Sequence, residues 1–198
     1  MSEPGTHYLN EGWTLRSWLL TTDHKRIAWM YFATITVFFF IGGLAALLIR
    51  LELLTPAGEM VESDTYNKLF SAHGIVMVWF FLVPSIPATM GNFLLPLMLG
   101  ARDLAFPKLN LLSWYIFTLG GPFTRTAVIA GGLDTGWTFY TSYSTLFSDS
   151  AVVLASSGLL VVFFSTIPTG LALIVPTHKT PGPALTWMRL PLITWEHN

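Results

Sequence analysis

The sequence contains no cysteine. That excludes disulfides, covalent c-type haem attachment, cysteine-ligated iron–sulfur clusters and any thiolate copper site within the chain, so a centre of those kinds has to sit on a partner. Charge is also scarce. Only 11% of the 198 residues are charged and the net charge is -1, with a pI near 6.5, which gives no electrostatic reason to expect nucleic acid as a partner. Soluble domains carry roughly a quarter charged residues, so this composition argues against an ordinary water-soluble globule. The length suits about one domain. No internal repeat or low-complexity tract interrupts it, and residues 1–26 lack the separate apolar segment that a cleaved secretory signal needs.

What the chain does have is apolar surface: 53% of its residues are hydrophobic and its mean hydropathy is +0.58. Residues 27–49 are an uncharged run of about 23 residues, enough to cross a roughly 30 Å hydrocarbon core. Residues 69–99 are also uncharged, but the run is long for one perpendicular span and holds Pro84, Pro87 and Pro96, so it is expected to be tilted or kinked. A third span is expected over 109–133, interrupted by Gly120, Gly121, Pro122 and Arg125, and a fourth over 151–176 with Pro168 inside it. GARDLAFPK and the Gly-, Ser- and Thr-rich stretch 131–150 read as connecting loops. The pattern predicts an all-α fold, a polytopic transmembrane helix bundle of four spans. With four spans the N-terminus, GARDLAFPK and the C-terminus share one side, which holds Arg16, Lys25, Arg26, Arg102, Lys108, Lys179 and Arg189 against Arg50 and Lys68 on the other. The positive-inside rule makes the richer side, and with it the N-terminus, cytoplasmic.

Several polar residues are costly where they fall. His73 lies inside the second span near its outer end, where an imidazole needs a partner: a neighbouring helix satisfies it as well as an iron does. Gly74 beside it admits a flat cofactor or a close helix. Arg50 ends the first span on the same side, at a depth expected to match that of His73, and reads either as a cation near a cofactor's polar edge or as an arginine snorkelling to the interface. Tyr66, two helical turns before His73, falls on nearly the same face. Asp103 in the inner loop is flanked by Asn92 and Asn110, an arrangement that suits proton uptake and equally a solvated loop charge. Arg125 is expected about 12 Å inside the outer end of its span, at a cost of a few kcal/mol unless paired. Ser165, Thr166 and Thr169 in the fourth span either wet a channel or bond back to helix carbonyls.

TTDHKRIAWMY, LIRLELLTP, AHGIVMVWFF, GNFLLPLMLGARDLAFPKLN and LDTGWTFY, in this order along nearly the whole chain, closely resemble subunit I of the haem-copper oxidases, in their cytochrome c oxidase branch. The resemblance implies that His73 is an axial iron ligand of a low-spin haem, of the haem a type, with Arg50 at its polar substituents and Tyr66 beside it. It implies that Trp137 lies near the haem propionates. Asp103 becomes the mouth of a proton-uptake path through Asn92 and Asn110 and on to Ser165 and Thr166, and Glu52 resembles a carboxylate that helps bind an outer-side cation. The implied partners are the remainder of subunit I, a copper-bearing subunit II, subunit III, cytochrome c as electron donor and the lipid bilayer. The expected location is the bacterial cytoplasmic membrane rather than the mitochondrial inner membrane.

Family members have about twelve spans, and the high-spin haem, the copper histidines and the second low-spin ligand lie beyond the fourth. The chain is therefore expected to be an N-terminal third, as a fragment, a split-gene product or a degenerate relative, with no oxygen-reducing site of its own. Within the matched region the loop carries Arg102 where the family has proline, Leu111 replaces a second asparagine, and STIPTGLA places Pro168 and Ala172 where SSILTGLN is usual. Two alternatives remain open. A quinol oxidase subunit I needs an Arg and an Asp in the first span and a His and a Gln just before the haem histidine, where this chain has Ile41, Ala45, Thr65 and Lys68, which disfavours it. A truncated, non-catalytic membrane module of a respiratory complex, or a transporter using the proline-broken second span, keeps the fold without the chemistry.

Overall fold

The computed structural model describes residues 8, 12–56, 58, 60–129, 132–147, 151–179, 182 and 186–196. Every regular element among them is helical. α1 (Leu15–Leu19) is capped by Thr14, whose hydroxyl accepts the Ser17 N–H. α2 (His24–Glu52) starts where the Asp23 carboxylate accepts the N–H groups of Lys25 and Arg26 at 2.9 and 3.0 Å, satisfying donors that a helix start leaves unpaired.

The expected distortion of the second span takes a particular form. α3 (Ser63–Ile75) runs into two π-helical stretches, Val76–Leu82 and Ser85–Gly91, and then into α4 (Asn92–Leu99). Pro84 and Pro87 each lack an N–H and crowd the carbonyl four residues back, and widening the turn accommodates both defects without ending the helix. Pro96 stays inside regular α4, which stops at Gly100 with φ +68°, a left-handed cap favoured by the missing Cβ. After GARDLAFPK come α5 (Pro107–Ile129), α6 (Ala151–Lys179) and, near the C-terminus, α7 (Leu192–Glu196).

Among the described residues three helices are long and apolar enough to cross a membrane: His24–Glu52, Ser63–Leu99 and Ala151–Lys179. The expected third span is a helix of 23 residues, about 34 Å long and so sufficient in reach. It is less apolar than the other three because it carries Lys108, Arg125 and two glycines beside Pro122. It also ends at Ile129, short of the expected residue 133. The other helices run longer than their apolar runs, because helix geometry continues through polar ends that no hydropathy pattern marks.

The chain divides into two compact units. The first comprises Met1–Phe32, Ser85–Tyr115 and Ser165–Asn198, with an apolar cluster of Leu95, Leu99, Leu104, Ala172, Leu173 and Leu190. In it Arg26, read from sequence only as an inner-side charge, is 1% exposed. Its guanidinium donates to the Tyr8 carbonyl, the Ser17 hydroxyl and the Gly12 carbonyl and lies 4.9 Å from the Trp18 ring, so it clamps the N-terminal segment. The second unit comprises Ala33–Pro84 and Ile116–Phe164. Phe38, Phe80 and Phe117 form its aromatic centre, with ring centroids 4.7 to 6.1 Å apart. α5 and α6 approach closely at Gly120 and Gly158, where a Cβ on Gly158 would sit 3.1 Å from the Gly120 carbonyl oxygen.

Candidate functional site

The second unit holds His73, ten residues or about 15 Å into α3 and partly buried. Its Nδ1 lies 2.9 Å from the carbonyl oxygen of Gly42 on α2. A carbonyl only accepts, so Nδ1 carries the proton and Nε2 keeps its lone pair. Fixing one ring nitrogen on a backbone carbonyl is the usual way a ligating histidine is oriented. Among the described residues nothing engages Nε2. The approach depends on Gly42, since a Cβ there would fall 2.8 Å from Met77 Sδ and 3.2 Å from Val76 Cγ1.

Trp137 is brought to the same place by a different route. A Cβ on Gly74 would lie 2.7 Å from Trp137 Cβ and Cγ, so the indole stem rests on the backbone next to His73. The loop that carries it is tied down by the Gly136 N–H, which donates to the buried Ser71 hydroxyl at 2.9 Å. Further along, the Tyr143 hydroxyl donates to Asp134 at 2.8 Å, and that bond pushes the Tyr143 phenol above its ordinary value.

Arg50 departs from expectation in depth. It lies eight residues beyond Gly42 on α2, about 12 Å further along the helix, so α2 and α3 are neighbours but Arg50 and His73 are offset by two turns. Only a group of about that breadth could meet both. Arg50 is exposed and, among the described residues, unpaired. Tyr66 is half-buried in the first turn of α3. Glu52 is buried, and its Oε2 accepts the N–H groups of Met60 and Val61 at 3.0 and 2.9 Å, closing the loop that follows α2.

The first unit holds the other expected group. The Asp103 side chain is 37% exposed; its Oδ1 accepts the Leu104 N–H at 2.7 Å and lies 3.0 Å from His24 Nδ1. His24 is buried, and its Nε2 has no partner among the described residues. Asn92 and Asn110 are both 0% exposed. Asn92 Nδ2 donates to the Ala88 carbonyl, whereas Asn92 Oδ1 and both amide atoms of Asn110 have no protein partner among the described residues. A buried polar atom without a partner costs about 1–3 kcal/mol, so such atoms mark places where water is bound.

Beside them runs a set of hydroxyls in which the sequence singled out Thr169 but not Tyr31 or Ser113. Tyr31 OH lies 2.8 Å from Ser113 Oγ and 3.5 Å from Thr169 Oγ1, while Ser113 donates to the Asn110 carbonyl and Thr169 to the Ser165 carbonyl. Ser165 is buried but Thr166 is exposed. The available signal was the spacing of Asn110 and Ser113, and of Ser165 and Thr169, which puts each pair on one helix face. Ala172, where an asparagine was expected, is fully buried in the apolar cluster. No group of three or more His, Asp or Glu able to hold a bare metal ion occurs among the described residues.

The family described as cytochrome c and quinol oxidase polypeptide I matches residues 26–197. The chain is 35% identical over 191 residues to cytochrome c oxidase subunit 1 of Bacillus subtilis (strain 168), covering 96% of this chain and 30% of that protein. Its identity to the subunit 1 of Bacillus sp. (strain PS3) is 37% over 189 residues, with 93% and 30% covered. For the subunit 1 of Thermostichus vulcanus it is 35% over 173 residues, with 87% and 31% covered. The chain thus spans about a third of the length of the curated relatives it matches. With 172 of its residues inside the family match, the chain belongs to the cytochrome c and quinol oxidase polypeptide I family.

Proposed function

We propose that this chain supplies one axial ligand of the low-spin haem and the proton-uptake mouth of a cytochrome c oxidase, an oxidoreductase that reduces O2 to water and pumps protons, in the bacterial cytoplasmic membrane. The remainder of subunit I, subunits II and III, cytochrome c and the second haem and copper complete it. The observation that carries the reading is the His73 bond to Gly42, which leaves the Nε2 lone pair to a ligand, with the Trp137 indole packed on the adjacent Gly74 backbone. A neutral imidazole nitrogen, a glycine floor and an aromatic plate fit one face of a flat macrocycle. When bound, a low-spin haem, of the haem a type, supplies one-electron transfer at a potential set by its ligands and surroundings.

The chain's own groups do the rest. Gly42 fixes the His73 tautomer. Arg50 places a permanent cation two turns further out, where it attracts acidic or carbonyl edge groups. Tyr66 lines the same helix, Trp137 excludes water from the Gly74 side, and Oε1 of Glu52 remains for an outer-side cation. On the inner side Asp103 exchanges protons with the cytoplasm, and His24 Nε2, Asn92 and Asn110 hold water that leads to the Tyr31, Ser113 and Thr169 hydroxyls and to Ser165 and Thr166. Ala172 in its apolar cluster offers that route no polar group where an asparagine would.

Cytochrome c is favoured over quinol as donor because Ile41 and Ala45, where a quinol site needs polar groups, line an apolar groove. The test is oxygen consumption by the complete membrane complex purified through a tag on this chain. Turnover with reduced cytochrome c and none with quinol supports the reading. The reverse makes the chain a quinol oxidase subunit, and neither makes it a non-catalytic module.

A further inference from the structure

The second unit carries a groove of about 1040 Å³ lined by α2, by Leu69, Ala72, Val76 and Phe80, and by α5, which shares only Gly42 with the His73 site. Its α2 wall runs from Ala33 to Leu48, about 22 Å along the axis, more than one leaflet of a roughly 30 Å hydrocarbon core. That wall exposes Val37, Ile41 and Leu44, each more than half accessible. Two threonines at the α5 side are engaged with their own helix: Thr124 donates to the Gly120 carbonyl and Thr126 to the Phe123 carbonyl. One lining residue is charged, and it is Arg125.

Arg125 is exposed, and among the described residues nothing accepts from its guanidinium. Arg125 lies four residues, about 6 Å along the axis, before the last described residue of α5. Its charge cannot be relieved by deprotonation. A long apolar groove that carries one unpaired, permanent cation on its α5 side is complementary to a molecule with an acyl chain and an anionic head. The guanidinium fork matches phosphate in particular, through paired N–H donors. We propose that this groove binds an anionic phospholipid of the surrounding bilayer, its phosphate on Arg125 and one acyl chain along α2 toward Ala33.

The test uses the complete complex, tagged on this chain and reconstituted in nanodiscs of equal parts phosphatidylglycerol and phosphatidylcholine, with retained lipid counted by native mass spectrometry after transfer to detergent. Wild type should retain phosphatidylglycerol in preference to phosphatidylcholine. Arg125→Gln should lower that retention by about tenfold, the worth of one charge-assisted bond to phosphate, while Arg125→Lys keeps most of it. Ile41→Trp, at an exposed lining position, should lower retention with Arg125 intact. Unchanged retention in Arg125→Gln overturns the proposal. So does equal retention of the two lipids by wild type, equally tight retention of oleate, or displacement of the lipid by a quinol.

Discussion

His73 Nδ1 and the carbonyl oxygen of Gly42 are 2.9 Å apart across two helices, and this one bond decides which ring nitrogen keeps its lone pair. Gly42→Val tests the geometry behind it. The added carbons would collide with Met77 and Val76 and push α2 from α3, an overpacking cost of about 1–3 kcal/mol. The expected outcome is a folded complex of lower Tm whose low-spin band is shifted or partly lost; an unchanged spectrum would show that the bond does not orient the ligand.

Ser71→Ala removes the hydroxyl that accepts the Gly136 N–H and should cost about 1 kcal/mol. Because that bond holds the Trp137 loop on α3, limited proteolysis within residues 132–147 should speed up several-fold while the rest of the chain keeps its resistance. Equal cleavage in both proteins would mean that Gly74 packing alone seats Trp137.

Arg50→Met keeps length and removes charge. A cation in a poorly solvated site stabilises negative or polar edge groups of a bound haem, so the midpoint potential of the low-spin haem should fall in the variant, as read by a redox titration of the complete complex. If potential and spectrum both stay put, Arg50 only anchors α2 at the interface.

Asp103→Asn keeps volume and removes the exchangeable proton, while Tyr31→Phe removes the hydroxyl shared with Ser113 and Thr169. In vesicles the first should slow turnover and lower the proton-to-electron ratio. The second should slow turnover less, at a stability cost of about 1 kcal/mol. Normal stoichiometry in Asp103→Asn would mean that protons enter elsewhere, as the apolar burial of Ala172 would then explain.

Much of this was legible in the sequence, and the rest depended on contacts that no local pattern encodes. The uncharged run at 27–49 dictates α2, and Pro84 and Pro87 announce a distorted second helix, but whether proline produces a kink or a widened turn is settled by neighbouring helices. His73 stood out because an imidazole in hydrocarbon is expensive. Its partner did not, because any residue carries a carbonyl and only the missing Cβ of Gly42 permits the approach. His24 and Asp103 meet across 79 positions, and the burial of Arg26 depends on a returning N-terminal segment.

The central claim, that His73 Nε2 ligates a low-spin haem, is tested most directly by His73→Leu in the complete complex, read as the reduced-minus-oxidised optical spectrum per mole of purified protein. The account predicts a stable complex from which the low-spin haem band is absent while the high-spin haem remains; a low-spin band of wild-type position and intensity would contradict it.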